Sequence, residues 1–120
     1  MPLSRPPIRH GRIVYTWIVD RNGHGKLRPA VVVTADDDIS AEAELTVIAL
    51  MTTFTNPPPD FCLPVAWHPR GHPVTRLQQR TAAVVNWLSR IRPTDIVGFG
   101  GEVPSKTLQK ILAKLEEIGD

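Results

Sequence analysis

Residues 25–34 read Gly25-Lys26-Leu27-Arg28-Pro29-Ala30-Val31-Val32-Val33-Thr34. A guanidinium stands directly in front of a continuous apolar, mostly β-branched run, the pattern of a strand buried on both faces. A charge at the mouth of such a strand is either a snorkelling edge residue or a placed binding or catalytic group. Upstream, residues 11–19 (Gly-Arg-Ile-Val-Tyr-Thr-Trp-Ile-Val) alternate as a strand does, with Ile13, Tyr15, Trp17 and Val19 on one side. That pattern makes Trp17 a core residue. Asp20 to Leu27 between them form a glycine-containing loop with turn chemistry at Asn22-Gly23.

Downstream, residues 35–44 are polar and acidic, a loop with one helical turn, and residues 45–52 (Leu-Thr-Val-Ile-Ala-Leu-Met-Thr) make a third strand. Pro57-Pro58-Pro59 break regular structure. Residues 61–67 read as a fourth strand with an edge-type proline, 80–91 as a fifth continuing through Trp87, and 95–99 as a short sixth. Leu108, Ile111, Leu112, Leu115 and Ile118 then recur at helical spacing, with Pro104 at the start and Gly119 at the stop. Many short strands followed by one helix argue a mostly β fold, a small antiparallel barrel capped by a C-terminal helix.

The 120 residues fit one domain, read as residues 11–120 behind a flexible N-terminal arm of residues 1–10 with prolines at 2, 6 and 7. No apolar run approaches the roughly 20 residues of a membrane helix. The N-terminus lacks the apolar stretch of a secretory signal. The single cysteine, Cys62, excludes an internal disulfide and fits a reducing cytoplasm. Net charge is only +2, but it is unevenly spread. Residues 1–28 carry six basic side chains against one acid, 29–66 carry six acids and no base, and 67–92 carry five arginines and no acid. Folded onto one face, the two basic blocks would make a surface for a polyanion.

The short link between the second and third strands makes an antiparallel hairpin the simplest connection. Aligning Thr34 with Leu45 puts residue 28 opposite residue 51 or 52. Arg28 therefore comes close to Thr52 and Thr53, and a fixed cation beside a hydroxyl suits a phosphate. His68 and His72 are four apart, a spacing that suits zinc on a helix. Pro69 and Pro73 prevent that helix, so no metal is expected. Arg70 in the same loop and the neighbouring Trp67 are candidates for backbone contact and base stacking. Asp36, Asp37 and Asp38 lack calcium-loop spacing.

The ordered set Gly11-Arg12-Ile13-Val14-Tyr15, a glycine loop, Arg28-Pro29-Ala30-Val31-Val32, a strand ending in Thr52 and a terminal amphipathic helix resembles the MazF/PemK family of toxin–antitoxin toxins over roughly Gly11 to Ile118. That resemblance implies an SH3-like barrel that dimerises, cuts single-stranded RNA sequence-specifically without a metal or other cofactor, and is silenced by a cognate antitoxin. It makes Arg28 and Thr52 the catalytic pair, acting while the ribose 2′-hydroxyl attacks phosphorus to leave a 2′,3′-cyclic phosphate and a 5′-hydroxyl. It makes residues 20–27 a mobile loop in which His24 and Lys26 touch substrate. Thr53, Arg70 and Trp67 complete the expected binding set. The rival readings are a CcdB-like gyrase inhibitor of similar architecture and a catalytically silent binder of RNA or antitoxin.

Overall fold

A computed structural model describes residues 8–20, 22–52 and 59–118. Strands β1 (Arg12–Val19), β2 (Gly25–Val32), β3 (Leu45–Met51), β4 (Cys62–Val65), β5 (Thr81–Ile91) and β6 (Gly98–Glu102) precede one helix, α1 (Ser105–Ile118). The strands form one antiparallel sheet in the order β4-β5-β3-β2-β1-β6. This is the expected mostly β fold with a C-terminal helix. Of the arm expected at residues 1–10, residues 1–7 lie outside the described residues. Ile8 packs against the lower core, and the His10 amide donates to Asp36 Oδ1 at 2.9 Å.

At the centre of the sheet β2 meets β3 through Ala30↔Ala49, Val31↔Ile48 and Val32↔Val47, the register aligned from the sequence. Alternation sends these pairs to opposite faces. Val31 and Ile48 join Ile13, Leu50, Val65 and Val85 in the upper core, where Ile111 of α1 is wholly buried and Leu108 and Leu115 pack alongside. Ala30, Val32, Val47 and Ala49 join Val14, Ile18, Leu45, Ile91 and Ile96 in the lower core. The helical stripe seen in sequence is therefore only partly used: Ile118 at its far end is 42% exposed.

Three expectations change. β2 begins at Gly25, so Gly25, Lys26 and Leu27 of the expected eight-residue loop belong to the strand and pair with β1. β6 starts at Gly98, because Pro93–Asp95 form a 3-10 turn closed by the Asp95 side chain on the Arg92 amide. Trp17 is 63% exposed, not core. The upper core covers only the first half of β1, so the alternation that buries Ile13 carries Trp17 and Val19 onto the projecting hairpin.

The edge strands are joined by the segment between β4 and β5. Gly101 and Glu102 of β6 donate to the Thr75 and Val74 carbonyls at 3.1 and 2.9 Å, and Thr75 Oγ1 donates to the Ala66 carbonyl beside β4 at 2.8 Å. This closes the sheet into a barrel and leaves no long bare edge there. His72 shapes the strap by accepting the Val74 and Thr75 amides on Nδ1, as His68 accepts the Arg70 amide. The loop histidines thus serve the backbone. Among the described residues no group of three or more His, Cys, Asp and Glu could hold a metal.

Closure demands a glycine at 101, where a Cβ would sit 2.7 Å from the Thr75 carbonyl carbon and overlap the Val74 oxygen. Gly101→Ala should cost about 3 kcal/mol, the upper end for forced overpacking. Gly23→Ala, with φ of 82° but nothing near its Cβ, should cost about 1 kcal/mol. Urea midpoints at unchanged m-value check both; equal costs would mean the strap yields freely.

Candidate functional site

The β2–β3 ladder ends at Ala30↔Ala49. Before it, Gly25 to Pro29 pair only with β1; beyond it, Leu50 and Met51 pair with β5. The strands fork at this point. Arg28 stands on one tine and Thr52, just past Met51, on the other. The expected register would set Arg28 opposite residue 51 or 52, but the ladder stops at Ala30↔Ala49, so the two residues share no hydrogen-bonded pair.

Arg28 lies opposite Thr16 on the lower face, and its guanidinium carbon sits 5.0 Å from the centre of the Trp87 ring. Arg28 Nε is enclosed and has no hydrogen-bond partner among the described residues. Trp87 is held in turn by its indole N–H, which donates to the Val19 carbonyl at 3.4 Å. With Asp20, Asn22, Phe61, Val84 and Asn86 it lines a cleft of about 400 Å³. Two aromatic rings beside amide and carboxylate edges can receive a flat heteroaromatic ring and read its rim.

Thr52 faces a second cleft, about 270 Å³, with Tyr15, Pro29, Arg76, Leu77, Gln78, Gln79 and Thr81. Pro29, next in chain to Arg28, lines this cleft while Arg28 stacks on Trp87, so the fork opens into one pocket on each side. Hydroxyls, amides and a guanidinium here can hold an oxyanion.

The 20–24 turn is pinned by Asp20, whose Oδ1 accepts the Asn22 and His24 amides at 2.9 and 3.0 Å. The His24 amide is the main reason the Asp20 carboxyl lies below its ordinary value, with the Asn22 amide and the charge of Arg28 acting the same way. His24 and Lys26 are exposed on this turn and on β2, and neither lines the two clefts. Trp67 and Arg70 are exposed in the strap region, also away from both clefts. Thr53 lies outside the described residues. Cys62 is buried, and burial pushes its thiol up, away from a reactive thiolate.

Sequence reasoning missed Phe61, Asn86, Tyr15 and Arg76 as lining groups. Asn86 had a signal, a polar residue interrupting the apolar run of residues 82–85. Arg76 had none, because its place depends on the strap.

The family model for "PemK-like, MazF-like toxin of type II toxin-antitoxin system" matches residues 9–119. The chain belongs to that toxin family. No curated protein matches the toxin in sequence. Among solved structures it is similar to MazF in a MazE–MazF crystal structure from Deinococcus radiodurans, with TM-score 0.67 and 13% identity over 92% of this chain and 94% of that one. It is also similar to an endoribonuclease in complex with its cognate antitoxin from a mycobacterial species, with TM-score 0.64 and 15% identity over 93% of each chain. An endoribonuclease from a mycobacterial species gives TM-score 0.64 and 18% identity over 93% of this chain and 91% of that one. At these identities the likeness is one of fold.

Since the Asp20 carboxyl is depressed in the folded toxin, its hold on the turn is complete above the ordinary carboxylate value. It is lost only as pH falls through the lower, folded value. The Asn22 amide resonance should therefore shift in acid, below the ordinary carboxylate value. Asp20→Asn should abolish the transition; an unchanged transition in that variant would assign it elsewhere.

Proposed function

We propose that this toxin is an endoribonuclease that cleaves single-stranded RNA without a metal, using Arg28 and Thr52. The observation that carries the reading is the fork: a rigid β2 fixes the Arg28 backbone, and Thr52 ends the strand on the other side. Two of the similar structures are of proteins named as endoribonucleases.

The chemistry balances within the substrate. The ribose 2′-oxygen bonds to phosphorus as the bond from phosphorus to the 5′-oxygen breaks. The proton lost from the 2′-hydroxyl is matched by the one gained at the 5′-oxygen, leaving a cyclic phosphate and a 5′-hydroxyl. Arg28 stabilises the charge growing on the phosphorane oxygens, and Thr52 donates to one of them. Guanidinium is a poor base, so the toxin's contribution is charge and position more than proton abstraction. The need for a 2′-hydroxyl restricts cleavage to RNA.

The partners on this reading are a cognate antitoxin, as in the complexes of the similar proteins, and a second copy of the chain. The exposed Trp17, Val19 and Leu27 offer an apolar face for such contact. One buried, free cysteine accords with a cytoplasmic setting.

Purified toxin incubated with a long single-stranded RNA and EDTA should leave 5′-hydroxyl ends. Arg28→Ala and Thr52→Ala should each lose at least about a hundredfold in rate, as when one oxyanion donor is removed. Arg28→Lys should recover little, because lysine lacks the planar fork. Wild-type silence in EDTA, or full activity in Arg28→Lys, would refute the assignment.

A further inference from the structure

Arg9, Arg12 and Arg76 line a third cleft, about 330 Å³, together with Glu102, Gly101, Pro73 and Val74. Three guanidiniums face one carboxylate there. Arg9 takes that carboxylate, with Nε 2.8 Å from Glu102 Oε1. Arg12 has no ion pair within 4 Å among the described residues, although the residue is only 6% exposed. It is held by donating from Nε to the Gly100 carbonyl at 3.1 Å and by lying 5.2 Å over the Phe99 ring. Burial first, and then the charge of Arg76, keep the Arg12 guanidinium below its ordinary value; Glu102 opposes this and Arg9 adds to it.

Arg76 occupies a left-handed backbone conformation, φ of 63°, that arginine rarely adopts. Its amide donates to the His72 carbonyl at 2.8 Å, so the strap enforces the conformation. The same residue also lines the Thr52 cleft, so the two pockets are neighbours that share Arg76. Like-charged groups brought together in a partly dehydrated cleft, with backbone strain spent on one of them, repel each other until an anion arrives.

We propose that Arg9, Arg12 and Arg76 form a phosphate subsite that grips the polynucleotide backbone next to the phosphate held at Thr52. This rests on the RNA-cleaving reading for its substrate, but binding does not require cleavage. The two basic blocks of the sequence meet here: Arg9 and Arg12 come from the first, Arg76 from the second. A phosphodiester is favoured over a protein carboxylate because Arg76 also lines the hydroxyl- and amide-bearing pocket of Thr52, which sets two anion-binding pockets side by side.

A labelled single-stranded oligodeoxynucleotide tests this, since it offers phosphates yet has no 2′-hydroxyl to react. Fluorescence anisotropy across 50–200 mM salt should show Arg76→Gly and Arg9→Gln each weakening binding. Each should flatten the slope of log K against log salt by about 0.7, and the double variant by about 1.4. Arg76→Gly suits its backbone, so its melting temperature should not fall. Lys106→Gln, on the exposed side of α1, should leave the slope unchanged. Wild-type binding that neither arginine variant alters, or no wild-type binding at 50 mM salt, would overturn the subsite. So would a hexaglutamate peptide binding more tightly than the DNA through the same arginines, which would assign the cleft to an acidic protein segment. If the slopes change as expected while no RNA is cut, the subsite stands and only the nuclease reading falls.

Discussion

Three residue pairs at the middle of the sheet, Ala30 with Ala49, Val31 with Ile48 and Val32 with Val47, hold the toxin together. Each of the six side chains is fully buried. Because alternation sends them to both faces, this one ladder is the floor of the upper core and the roof of the lower. A slip of one residue would exchange the two sets, placing alanines where Val31 and Ile48 now fill the upper core and leaving voids worth several kcal/mol. The register is therefore tightly fixed, and everything attached to the ends of these strands inherits its precision.

What it fixes at the open end is the fork. β2 and β3 leave the ladder toward different neighbours, β1 and β5, so the residues just outside it stand at set positions without sharing a hydrogen-bonded pair. Arg28 is stacked on Trp87, a contact worth about 0.5–2 kcal/mol depending on desolvation. That holds the guanidinium, whose enclosed Nε has no hydrogen-bond partner among the described residues. A cation held in this way is already ordered, whereas a solvated arginine must first be immobilised before it can grip anything. The charge in front of the apolar run is thus explained by the rigidity behind it.

The ladder was legible in the sequence because both strands are short, doubly buried apolar runs with a brief link, which leaves one plausible pairing. α1 was legible from its stripe. Trp17 was misread because alternation tells which side a residue faces and not how far the core extends beneath it. β6 was displaced because Gly98-Phe99-Gly100-Gly101 has little strand propensity; it is a strand because glycine permits the strap to approach. The loop over residues 20–27 looked longer than it is because Gly25, Lys26 and Leu27 carry no strand signal of their own and pair only because β1 projects beside them. The strap was illegible altogether. His68 and His72 resemble metal ligands in one dimension, yet each spends Nδ1 on nearby backbone amides, a role that no spacing rule announces.

That strap links stability to the chemistry of the site. It ties β4 to β6 through Thr75 and Val74, and the next residue, Arg76, is the one shared by the Thr52 cleft and the arginine cluster. A left-handed arginine costs about 1–3 kcal/mol and persists only where its surroundings over-determine it. Here they do, through the His72 carbonyl on its amide and the buried Thr75 and Leu77 on either side. Closing the barrel and placing a cation beside Thr52 are therefore one structural event. Loosening the strap would open the edge of the sheet and withdraw the charge together, so the toxin cannot relax this strain without moving Arg76 away from both clefts.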